Sequence, residues 1–196
     1  MAGRPCPTCG GAVDPFGDHS VSCGHAAFGK RHLGIQMFLC RALSNARVPH
    51  DREVAVTGDL SRPADVLLKE WSAGKDLAVY LTVVHPAAVS APRPATGSAQ
   101  AYLAQAARLK CQASEKKCAE VGVGFTPMIF DTWGGLHGAG RTLWAAMAAK
   151  CAGRGVPQYQ PARVGILRQG LAVAVMRGMA PQLQVLRAVS ADPLLW

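Results

Sequence analysis

The sequence predicts an α/β sandwich with a metal-binding head and trailing helices. Three observations lead there: an early Cys/His run with metal-ligand spacing, short β-branched runs bounded by Gly and Pro, and long Ala-containing helical stretches between and after those runs.

The head comes first. Cys6, Cys9, His19 and Cys23 follow the pattern C-x2-C-x9-H-x3-C. Thiolate and imidazole are the ligands Zn²⁺ prefers, and four of them close a tetrahedral structural site. Pro5 and Pro7 flank the first cysteine and Gly10-Gly11 follow the second, as suits the tight turn around a metal. His25 is an alternative fourth ligand. A closed four-ligand site organises a fold and performs no chemistry.

Residues 26–47 then carry apolar groups at Leu33, Met37, Cys40 and Leu43 or Leu39, which is helical spacing, with Arg31, His32, Arg41 and Arg47 among them. Pro49-His50-Asp51 breaks that helix. Arg52–Thr57 alternates and is β-branched, so it reads as a strand ended by Gly58-Asp59. Ala64–Glu70 is a second strand, closed by Trp71-Ser72-Ala73-Gly74. Leu77–Val84 is nearly continuously apolar, as expected for a central strand covered on both faces. Residues 86–98 read as a loop, and Gly97–Gly122, rich in Ala, Gln, Lys and Glu, as a long helix. Phe125–Thr132 returns as a strand, with Pro127 placing it near an edge. Helical segments follow at about 138–152 and 162–188, the second weakened by Gly165, Gly170 and Gly178. There is no internal repeat. The expected division is a zinc knuckle at 1–25, an α-β-β-β-α-β domain at 26–153 and a helical extension at 154–196.

At 196 residues the chain can bury a substantial core. Its formal charge is +9, and residues 99–196 hold eleven Lys/Arg against four Asp/Glu, whereas residues 1–98 hold ten against eight. A basic surplus of this kind suits a polyanion such as nucleic acid. Seven cysteines with a leading Cys-x-x-Cys point to a metal clip in a reducing, intracellular compartment. Cys40, Cys111, Cys118 and Cys151 are expected as plain buried thiols. No apolar run reaches the roughly 18 residues of a bilayer span, so a soluble protein is expected.

Acidic residues on the second and third strands of an α-β-β-β-α-β order suit metal-dependent phosphodiester cleavage. That chemistry needs Mg²⁺ or Mn²⁺ held by converging carboxylates, often with a lysine to orient water. Asp65, in Arg62-Pro63-Ala64-Asp65, is either such a ligand or a capping group. The Cys-Cys-His-Cys run, Arg31-His32 and Arg62-Pro63-Ala64-Asp65-Val66 resemble the restriction-like endonuclease region of site-specific non-LTR retrotransposons, part of the PD-(D/E)XK superfamily. The resemblance continues in order through Trp71-Ser-Ala-Gly74, Thr82-Val83-Val84, Lys110 in the Ala-rich helix, Phe125-Thr-Pro127 and Thr132-Trp-Gly134-Gly135, over about residues 4–150.

The resemblance implies a restriction-endonuclease-like core and an ancestral Mg²⁺-dependent DNA nicking activity. Asp65 would be a Mg²⁺ ligand and Lys110 a water-orienting group. The family carries an Asp two residues before the Thr of Thr-Val-Val, where this chain has Tyr80. Tyrosine supplies no carboxylate near neutrality, so weakened or lost cleavage is expected. Asp76, roughly 13 Å upstream along an extended strand, is a poor substitute; Glu53 could approach Asp65 if the first two strands pair. Contacts to DNA, or to RNA, are expected from Arg31, His32, Arg62, Lys116 and Lys117, in a retroelement-derived protein of nuclear location with no membrane or small-molecule partner. The chain would be a fragment or a detached descendant of a longer element. The competing expectation is a non-catalytic zinc-containing nucleic-acid-binding module.

Other residues have plainer readings. Arg31-His32 could also pack the knuckle on the sheet. Trp71, Trp133 and Trp144 could stack on bases, but core or turn packing is favoured. His85 ends a strand and reads as structural. The Gly134-Gly135 and Gly138-x-Gly140 pairs lack the spacing and Lys of a phosphate loop, and no Gly-x-Ser-x-Gly elbow occurs.

Overall fold

The computed structural model describes residues 5–6, 9–14, 18–23, 28–56, 64–85, 98–153, 169–171 and 173–174. The elements are α1 (Asp18–Ser22), α2 (Phe28–Asn45), β1 (His50–Val54), β2 (Ala64–Ser72), β3 (Lys75–Val84), α3 (Ala99–Glu120), β4 (Gly124–Asp131) and α4 (Gly138–Gly153). The four strands make one mixed sheet in the order β1-β2-β3-β4. The first two pairings are antiparallel and β3 pairs parallel to β4. The class is mixed α/β. Of the expected segment at 162–188, only residues 169–171 and 173–174 are described, as helix.

One face of the sheet carries α2 and α4. Ile35, Leu39 and Leu43 of α2 meet Val66, Leu68, Val79, Leu81, Met128 and Phe130 of the strands and Leu143, Trp144 and Met147 of α4. Their i, i+4 spacing on α2 is the geometric reason one helix stripe can cover a sheet. The opposite face is closed by α3, whose Leu103, Ala106 and Ala107 pack on Ile129, while Cys118 packs on Leu67 and Ala78. β3 is covered on both sides, as its apolar run predicts. β4 lies at the sheet edge, where its Pro127 costs no inner-ladder bond. Among the described residues no helix is long and apolar enough to cross a membrane.

Ends are set by local chemistry. α2 stops two residues short of the expected 47 because Arg47 turns left-handed (φ 53°) and the Val48 N–H donates to the Leu43 carbonyl at 2.9 Å. This is a Schellman-type stop, with Pro49 behind it. α3 begins at Ser98, whose side chain accepts from the Ala101 N–H at 3.2 Å. β2 and β3 join through Ala73-Gly74, both at positive φ (50° and 73°), the backbone a two-residue hairpin turn requires.

β4 runs into a second rigid turn. The Asp131 carboxylate accepts from the Trp133 N–H at 2.9 Å and the Gly135 N–H at 2.7 Å, while the Asp131 N–H donates to the Gly135 carbonyl at 2.8 Å. A Cβ on Gly135 would overlap Asp131 Oδ2. Gly135→Ala should therefore destabilise the protein by about 1–3 kcal/mol, read as a lower urea midpoint at unchanged slope.

Candidate functional site

Two constellations stand out, one in the head and one where β1, β2 and β3 lie side by side. In the head, the ligand atoms of Cys6, Cys9, His19 and Cys23 all lie within 4.8 Å of one another. The turn that gathers them is built from backbone bonds: the Gly10 N–H donates to the Cys6 carbonyl at 2.8 Å, and the Cys6 N–H to the Gly11 carbonyl at 2.7 Å. Asp14 accepts from the N–H groups of Asp18 and His19, fixing the start of α1 and with it the imidazole. The Cys6 and Cys23 sulfurs are 3.9 Å apart. A disulfide would need about 2.05 Å, whereas a tetrahedron with metal–sulfur bonds of about 2.3 Å has an edge of about 3.8 Å. The donor set fits a metal. Gly11 is required beside it, because a Cβ there would come within 2.9 Å of His19 Cε1. His25 lies outside the described residues.

The head docks on the sheet through His85, which follows β3. His85 is buried; its Nε2 lies 3.4 Å from Asp18 Oδ1 and its Nδ1 2.8 Å from Thr132 Oγ1. Tyr102 donates to the His85 carbonyl at 3.1 Å. Burial pushes the His85 imidazole toward its neutral form; Asp18 opposes this and the charge of Arg31 adds to it. Arg31 itself is buried, and burial lowers its pKa. The guanidinium packs inside the protein, which is the packing role expected of Arg31 beside a phosphate contact.

At the second constellation, the β2–β3 register pairs Val66 with Val79, and one residue further sets Asp65 opposite Tyr80. Likewise the β1–β2 register sets Glu53 opposite Asp65. Glu53, Asp65 and Tyr80 thus form a row across three strands. Their polar ends are held differently. Asp65 is buried, and its Oδ2 accepts from the Leu81 N–H at 2.6 Å and lies 3.2 Å from His32 Nε2 of α2. The hydrogen bond to Asp65 raises the His32 pKa, burial opposes it, and the charges of Asp65 and Glu53 reinforce it. Gln36, one turn along α2, donates to Glu53 and to the Asp65 carbonyl, the latter at 2.8 Å. Tyr80 turns to α3, where Lys110 Nζ donates to its hydroxyl at 2.9 Å and stands 4.4 Å from its ring centroid. Asp65 and Tyr80 are neighbours in the backbone, but their functional groups are taken by partners on different helices.

The remaining expected residues are dispersed. Asp76 is spent at the hairpin, accepting from Lys69 at 2.7 Å and from the Glu70 N–H at 2.9 Å. Lys116 and Lys117 are exposed near the end of α3. Arg62 lies outside the described residues, as does the side chain of Cys151. Cys40 and Cys118 are buried and Cys111 half-buried; burial raises all three thiol pKa values, which disfavours the reactive thiolate. The sequence reading missed Gln36, whose signal was a polar residue inside the apolar stripe of α2. It also missed the Asp18–His85 contact, which no spacing announces.

No protein-family model matches this chain, and no curated protein matches it at a significant level.

Proposed function

We propose that this chain is a retroelement-derived, nuclear DNA-binding domain of restriction-endonuclease-like architecture, whose own strand cleavage is weak or lost. The observation that carries the reading is the register: the Asp of Arg62-Pro63-Ala64-Asp65 lies opposite Tyr80, the position where the resembling family has its second acid. The element order α2-β1-β2-β3-α3-β4 and the parallel β3–β4 pair agree with it. So does Lys110, which reaches the Tyr80 hydroxyl from α3.

Zn²⁺ is the metal that suits Cys6, Cys9, His19 and Cys23, and its role is structural. A hard cation such as Mg²⁺ or Mn²⁺ is a different matter. When bound in such a site it activates water and neutralises charge on phosphate oxygens. The residues present do not fit it. Tyr80 offers no carboxylate, and the Asp65 oxygen that would face the ion already holds the Leu81 N–H and lies beside His32. This occupancy favours a non-catalytic nucleic-acid-binding module over an active nickase.

Duplex DNA binding measured against salt, together with nicking of supercoiled plasmid in Mg²⁺ or Mn²⁺, tests the reading. Affinity is expected to fall about tenfold per fourfold rise in salt for roughly two phosphate contacts. Plasmid nicking should sit at background and be unchanged by Asp65→Ala. Binding indifferent to salt, or brisk Asp65-dependent nicking by the native chain, would refute it.

A further inference from the structure

Three tryptophans lie among the described residues, and they have different fates. Trp144 is buried in the core between the sheet and α2. Trp71 is half-buried, with Lys150 Nζ 4.7 Å from its ring centroid. Trp133 is 59 % exposed, the most exposed large hydrophobic side chain among the described residues. An indole has more apolar surface to hide than almost any other side chain. Leaving it in water forgoes that burial, and a rigid exposed indole is a contact waiting for a flat partner.

The turn of Asp131 to Gly135 fixes its direction. Asp131 takes the N–H groups of both Trp133 and Gly135, and Gly134 adopts φ 90°. Thr132 before it is fully buried and bonded to His85. From beneath, the His85 ring supports the indole, with centroids 4.9 Å apart and planes tilted by 45°. This is the end of the sheet where β3 and β4 finish in parallel and where Asp18 brings the Cys/His head against His85. Charges of both signs meet at this junction, with Asp18 and Asp14 on one side of the balance at His85 and Arg31 on the other.

We propose that Trp133 is a stacking platform for an unpaired nucleobase, an assignment that rests on the nucleic-acid-binding reading above. The occupant follows from chemistry. A pre-fixed aromatic face on a chain of formal charge +9 suits a polyanion that also bears flat π-surfaces. A duplex hides those faces in its own stack, so the ligand is a single strand, a flap or a frayed end. Because a stacked ring reads no hydrogen-bond pattern, the contact tolerates any base.

The test compares a short fluorescein-labelled oligo(dT) with a duplex of equal length, using the zinc-loaded chain and fluorescence anisotropy. Trp133→Ala is expected to weaken oligo(dT) binding roughly 5- to 150-fold and to leave duplex binding within about twofold. Trp133→Phe, which keeps a π-face, should recover most of the loss. Unchanged oligo(dT) affinity in Trp133→Ala, or an equal loss on both ligands, overturns the platform while the DNA-binding reading stands. A native chain that binds neither ligand removes both.

Discussion

Tyr80→Asp should switch on Mg²⁺- or Mn²⁺-dependent nicking, on the order of 100-fold above the native chain. The reason is positional. Residues directly opposite in an antiparallel pair have Cβ atoms about 4.5–5.5 Å apart, so an acid at position 80 would have its Cβ beside that of Asp65, whose carboxylate must exchange His32 and the Leu81 N–H for the cation. Two such groups repel without a counter-ion and converge on one cation when it is supplied. Lys110, relieved of the tyrosine hydroxyl, would face the new carboxylate from α3. Two readouts separate folding from chemistry. Mn²⁺ should raise the melting temperature of Tyr80→Asp more than that of the native chain, because a ligand at 100 times its Kd stabilises by about 2.7 kcal/mol. Nicking should then vanish when Asp65→Ala is added. Metal-dependent stabilisation without nicking would show that the row of side chains binds a cation but lacks a cleavage geometry.

Depriving the Cys6, Cys9, His19 and Cys23 cluster of the metal it could hold is expected to have the largest structural effect. Among the described residues the head's own apolar cluster is Cys6, Val13 and Cys23, and α1 has five residues. So small a core cannot offset the entropy of ordering the segment, whereas zinc binding in finger peptides contributes about 10–16 kcal/mol. A strong chelator, or Cys9→Ala, should therefore melt residues 5–23 while the sheet stays folded. Hydrogen exchange would show lost protection in α1 and retained protection in β3 and β4, and a colorimetric zinc assay should release one ion per chain. Unaltered exchange in α1 after chelation would mean that backbone bonds alone hold the head.

What was legible in the sequence depended on how local the cause was. The four head ligands converge because their spacing is short and their turns are written in Pro and Gly. β3 was readable from continuous apolar residues, and α3 from its composition. The pairing of Asp65 with Tyr80 was not readable from the turn. Extended evenly from Ser72↔Lys75, the ladder would set Asp65 opposite Thr82; an irregularity between Leu68 and Ser72, where Glu70 has φ 47°, draws it back by two residues. A bulge of this kind is decided by Asp76 binding the Glu70 N–H, a contact that exists only once the hairpin has closed. His32 and Gln36 found their partners through the docking of α2, which no periodicity specifies. Trp133 was expected to pack. It sits in the Asp131–Gly135 turn with its ring against His85, outside the core and 59 % exposed.

The outer strand β1 has a bearing on solution behaviour. Fibril growth by strand addition needs a long, straight rim of unsatisfied amide and carbonyl groups. β1 presents five residues, three of them charged or ionisable beyond the histidine, and its fourth, Glu53, twists into the left-handed region at φ 53°. A foreign strand would meet a short, crooked and charged template, which discourages templated self-association at that rim.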